Sequence, residues 1–175
     1  MRKANYDKFP STKLTGMLVQ GWDAIISMLK EKMDARKVLA VDLYTGVYEE
    51  EVLDAFSKEF SGRVMNVRDL MKPEKEIQAL TERFMTEDVL FGYVTNLKLE
   101  DYFDADKLAA AQKQISEAED TIVIIGTGAA MVAPQDAMIV YADMARWEIQ
   151  QRFRRHEVKA VSYTHLRAHE TSAHL

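Results

Sequence analysis

The chain has 175 residues, no cysteine and a formal net charge of -5. The missing thiols exclude a disulfide framework, a thiolate metal site and a thiol nucleophile, and they fit a reducing cytoplasm. The acidic balance argues against general affinity for nucleic acid or an anionic membrane, and no run approaches the roughly 18 consecutive apolar residues of a membrane span.

Residues 1–19 show no strong period and contain Phe9-Pro10-Ser11-Thr12, so they read as an N-terminal arm. From Gln20 the spacing predicts a helix, with Trp22, Ile25, Ile26, Leu29 and Met33 on one face. Lys37 to Asp42 is a short apolar run suited to a strand buried on both sides, and Leu43-Tyr-Thr-Gly46 is its exit turn. Glu49 to Phe60 returns to helix, its three leading glutamates placed at the positive end of the helix dipole. Arg63 to Arg68 reads as a strand, and Pro73 opens a helix bearing Ile77, Leu80 and Phe84. Asp88 to Val94 is another apolar run, followed by a polar connection through Asp101-Tyr-Phe-Asp104. Leu108, Ala111 and Ile115 mark a helix ending near Glu119, Thr121 to Ile125 is the clearest buried strand, and Gly126-Thr-Gly128 breaks it. Ala137 to Ala142 makes one more strand, with Asp143 placed to cap a closing helix from Met144 to about Val158.

Strands alternating with helices imply an α/β fold: three layers, a mostly parallel sheet with helices on both faces, and functional loops at the carboxyl ends of the strands. One domain over residues 20–160 accounts for all of these elements.

The segment after Ala160 has another explanation. Codons for Val161 to Glu170 can be written so that they resemble a transposon-end sequencing adapter, so residues 161–175 are expected to be a non-native tail. On that expectation the domain is incomplete and belongs to a longer parent. The tail's His165, His169 and His174, whose first pair stands at i, i+4 like a helical metal site, then report nucleotides and not chemistry.

The candidate sites lie at the strand ends. A phosphate loop needs several glycines, so that backbone N–H groups surround the anion, followed by Lys-Ser/Thr to neutralise charge and hold magnesium. Here Asp42-Leu-Tyr-Thr-Gly46 is followed by Val47 and Tyr48, and then by three glutamates that would repel phosphate. Phosphoryl transfer is not expected, and Asp42, Thr45 and Gly46 are the residues to test for residual ligand contact. Gly126 and Gly128 follow a strand as a dinucleotide fingerprint would, but the third glycine is missing and Pro134 interrupts the helix. Close backbone approach explains both glycines more simply. In the closing helix Arg146, Arg152, Arg154 and Arg155 could converge on a phosphate, with Arg146 and Arg154 the chosen ligand candidates. The simpler reading pairs Glu148 with Arg152 one turn on and packs Trp147 and Phe153. His156 reads as a surface residue near the helix end. No paired-carboxylate, Ser/His/Asp or Cys/His constellation emerges, and no catalytic residue is assigned.

Four stretches carry a resemblance: Asn5-Tyr-Asp-Lys-Phe-Pro-Ser-Thr-Lys13, Gly21-Trp22, Asp101-Tyr-Phe-Asp-Ala-Asp-Lys-Leu108, and Tyr141 to Gln150 with Arg154-Arg-His-Glu-Val158. Through them residues 1–158 resemble the N-terminal region of the large mannose-6-phosphate isomerase-like proteins of Bacteroides-type bacteria. The resemblance implies a degenerate P-loop-NTPase-like domain of nucleoside-kinase type, with a zinc-binding cupin domain further along the parent as its partner. The parent would interconvert mannose 6-phosphate and fructose 6-phosphate, with zinc only in the cupin part. The present chain would itself be non-catalytic. A different class of function, a stand-alone module binding a nucleotide or sugar phosphate through the Thr45-Gly46 turn and the closing arginines, remains open.

Overall fold

The computed structural model describes residues 11–13, 15–60, 63–86 and 93–158. Four strands, β1 (Val38–Leu43), β2 (Arg63–Asn66), β3 (Ile122–Gly126) and β4 (Met138–Ala142), form one sheet in the order β2-β3-β1-β4, with every pairing parallel. The helices are α1 (Trp22–Met33), α2 (Glu49–Glu59), α3 (Glu74–Glu82), α4 (Ala105–Ser116), α5 (Ala129–Val132) and α6 (Arg146–Arg154).

The sheet's two central strands are apolar at every position but Asp42 because both of their faces are covered. Leu39, Val41, Leu43, Val123 and Ile125 point to one side and pack against Ile26, Leu29 and Met33 of α1 and Val52 and Phe56 of α2. Val38, Ala40, Ile122 and Ile124 point to the other side, where they meet Ala111 and Ile115 of α4, Ala129 and Val132 of α5, and Val67 and Leu70. The result is three layers with two separate cores. Each isoleucine of β3 is at most 1% exposed, and burying such a side chain stabilises by about 1.5–3 kcal/mol.

Several boundaries differ from the sequence reading. Asn66 Oδ1 accepts from Arg68 N at 2.8 Å, which turns the chain into a 3-10 helix over Val67–Leu70 and ends β2 early. A second 3-10 turn, Leu99–Tyr102, replaces a plain connection, and Asp104 then caps α4 through the N–H groups of Asp106 and Lys107. The four-residue α5 is too short to show a period. Asp143 is not the cap of the closing helix: its Oδ1 takes the adjacent Met144 N–H at 2.7 Å, and the chain stays extended through Ala145 before α6 begins. Residues 88–92 of the apolar run at 88–94 lie outside the described residues, as do 1–10 of the arm and the tail 161–175; Tyr93 and Val94 have no regular structure.

Parallel pairing places the carboxyl ends of all four strands on one rim. The connection leaving β1 crosses to β2 with α2 on one face, whereas the connection leaving β3 crosses to β4 with α5 on the other. Adjacent strands whose connections diverge open a crevice at that rim, the usual ligand position in a parallel sheet.

Candidate functional site at the rim of β1 and β3

The turn after β1 is short and tied at both ends. Val47 N donates to Tyr44 O at 3.2 Å, and Tyr44 N donates to Ala142 O at the end of β4 at 2.9 Å. Gly46 adopts φ +96°, in the region that disfavours a side chain, and it is buried. A Cβ on Gly46 would stand 3.1 Å from both Cγ atoms of Ile149 and 3.3 Å from Met144 Sδ. The side of the turn that a Gly46 side chain would occupy is therefore filled by Ile149 of α6 and by Met144 before it.

Arg152 completes that closure. Its Nη1 donates to Gly46 O at 2.8 Å, its guanidinium lies 3.6 Å from the centroid of the Tyr48 ring, and its Nε is 3.3 Å from Glu148 Oε1. Where a phosphate loop offers convergent N–H groups to an anion, this turn offers a carbonyl to a cation. The expected Glu148–Arg152 pair is present, and it holds the guanidinium in place for the carbonyl.

The turn after β3 packs tightly on its neighbours. Gly126, at φ +138°, leaves only 2.8 Å between a built Cβ and Val67 Cβ, and Gly128 lies against Leu99 and Phe103. Close approach accounts for both glycines, as expected. Asp42 is engaged in the same place: its Oδ1 accepts from Gly128 N at 3.2 Å and its Oδ2 from Ala130 N at 2.9 Å. Thr127 Oγ1 donates to Leu43 O at 3.0 Å, so the ends of β1 and β3 are fastened together.

Beside the Gly46 turn lies a cavity of about 740 Å³, bounded by Thr45, the first turn of α2, Asn66, Arg68 and residues 156–158 after α6. The one guanidinium among its described lining residues, Arg68, is paired with Glu49 at 2.9 Å. Four carboxylates, Glu49, Glu50, Glu51 and Glu157, line it against Arg68 and His156, a field that opposes entry of an anion.

The far end of α6 is clasped to the turn. Tyr48 Oη donates to Glu157 Oε2 at 2.6 Å, while Arg155 reaches Glu157 at 2.7 and 2.8 Å and Glu148 at 3.0 Å. The Arg155 hydrogen bonds, then that of Tyr48, hold the Glu157 carboxyl down to about 2. Accepting partners push Arg155 upward, Glu157 first and then Glu148, and the bond to Glu157 is also the largest cause raising the Tyr48 phenol.

The structure therefore brings Asp42 to Gly128, and sets Thr45 and Gly46 at the cavity, but it does not bring Arg146 or Arg154 there. Arg146 is exposed at the start of α6, and Arg154 lies 5.9 Å from the Trp147 ring. Arg152, Tyr48 and Glu157 make the contacts instead. The i, i+4 spacing of Glu148 and Arg152 was a visible signal, whereas nothing local announced that Tyr48 and Glu157 would meet. Among the described residues no group of three or more His, Asp or Glu side chains is placed to hold a metal ion.

Among known families, the model described as "Domain of unknown function (DUF8485)" matches residues 21–173, a range that continues past Ala160 into the segment that reads as adapter. No curated protein and no solved structure matches the chain.

Proposed function

We propose that this chain, which belongs to the family described as Domain of unknown function (DUF8485), is the non-catalytic α/β domain of a cytoplasmic mannose-6-phosphate isomerase-like protein. The observation that carries the non-catalytic part is the closure of the Gly46 turn by Ile149 and Arg152. A turn that carries Val47 and Tyr48 where a phosphate loop has its lysine and hydroxyl residue, and that offers its Gly46 carbonyl to Arg152, has no means of moving a phosphoryl group. The isomerase assignment is supported by the four resembling stretches. Its chemistry, a proton moved between adjacent carbons of the open-chain sugar, belongs to a zinc-binding cupin domain. No step of it is carried by the residues described here. No helix among them is long and apolar enough to cross a membrane.

The test is direct. The purified chain, incubated with mannose 6-phosphate and coupled to detection of fructose 6-phosphate, is expected to match a blank, and a rate above the blank would overturn the proposal. The cavity beside the turn favours one second reading, a nucleotide- or sugar-phosphate-binding module using Thr45 and Arg68. A thermal shift with ATP, GTP or mannose 6-phosphate that disappears in Arg68→Ala would select it; the acidic lining predicts no shift.

A further inference from the structure

We propose that α6, together with residues 156–158 that follow it and bound the cavity, is a separately opening strap, held shut by the clasp of Tyr48, Glu148, Arg155 and Glu157. Two observations point the same way. Among the described residues, Ile149, Phe153 and Val158 form a small cluster with Tyr48 and Met144 separate from the two main cores. Segments with few buried apolar contacts of their own open at lower free energy than the body they rest on. Apart from Val158, the side-chain contacts described at the far end are polar and solvent-facing: Arg155 has 46% of its side chain exposed, Glu157 36% and Glu148 43%. Such pairs are short in geometry, modest in strength and screened by salt.

The strap also covers something. Its inner side carries Ile149 against Gly46 and Arg152 on the Gly46 carbonyl, and residues 156–158 beyond it bound the cavity. Lifting the strap uncovers the turn and opens the cavity on that side, while the fastened ends of β1 and β3 stay in place. The inference rests on the observed closure and not on the isomerase-like reading, so the activity assay and the experiment below fail independently.

The absence of cysteine makes the test clean. Single cysteines are placed beneath the strap, Ile149→Cys, and in the main core, Val123→Cys, and their reaction with a thiol reagent is followed in the full chain under native conditions. If α6 opens by itself, Ile149→Cys reacts faster than Val123→Cys by on the order of tenfold or more. Adding Glu157→Gln, or raising the salt, then accelerates Ile149→Cys about three- to tenfold and leaves Val123→Cys unchanged. Equal rates at the two positions, moving together under Glu157→Gln, would mean that α6 opens only with global unfolding and would overturn the proposal. Amide hydrogen exchange of the unsubstituted chain decides the case if Ile149→Cys itself loosens the strap. Protection at Ile149 and Phe153 below that at Val123 and Ile124 supports the strap, and uniform protection overturns it.

Discussion

At the residue scale, two positions show how far side-chain chemistry alone could be followed. Gly126 was legible as a point of close approach, because a glycine ending a buried strand has few other reasons to be there. What it approaches, Val67 Cβ, was not legible, since Val67 belongs to a 3-10 turn that a strand reading had absorbed. Gly126→Ala must accept both a positive φ and a contact that real Cβ atoms do not make. It is expected to lower stability by about 2–4 kcal/mol in urea denaturation, a change under 1 kcal/mol counting against this geometry. Asp42 teaches the converse. An acid at the end of the first strand looked available for a ligand, and it is instead spent on the N–H groups of Gly128 and Ala130.

At the scale of elements, strands were easier to read than helix ends. The runs in β1 and β3 are apolar at nearly every position, a pattern that burial on both faces demands, whereas β4 is equally apolar in sequence and alternates only in burial, because it lies at the sheet edge. The start of α6 was misplaced because Asp143, a good capping residue, binds only the adjacent Met144 N–H, and the helix begins two residues later, after Ala145. The clasp on α6 gives a pH dependence whose sign follows from Glu157. Its folded value lies near 2, below its ordinary 4.5, so its contribution is complete above about 4.5 and is lost as pH falls toward 2. Exchange protection of α6 is expected to fall across that window, and Glu157→Gln should remove the part of the change that Glu157 causes. Protection flat from pH 5 to about 2.5 would contradict it.

For the whole molecule, the three-layer parallel architecture followed from the alternation of elements, but the strand order did not, because periodicity says nothing about which strands are neighbours. That order leaves β4 at an edge. Ala142 O accepts from Tyr44 in the adjoining turn, so alternation directs the backbone groups of Ile139 and Tyr141 outward. Their side chains are 49% and 60% exposed, and the Tyr141 ring lies 6.3 Å from that of Tyr44. An apolar edge of this kind favours self-association. Ile139→Lys is expected to reduce light scattering at high protein concentration while changing stability by no more than about 0.5 kcal/mol. Unchanged scattering would show that another surface is responsible.

The hydrogen bonds from Thr127 to Leu43 and from Gly128 and Ala130 to Asp42 have a kinetic meaning. They join the end of β1 to the turn after β3 as one floor, opposite a wall whose far end is held by the clasp of Tyr48, Arg155 and Glu157 and by Val158. A molecule reaching the cavity from the α6 side would wait on that wall. Its capture would be gated, with a rate that levels off at the frequency of opening however much ligand is supplied.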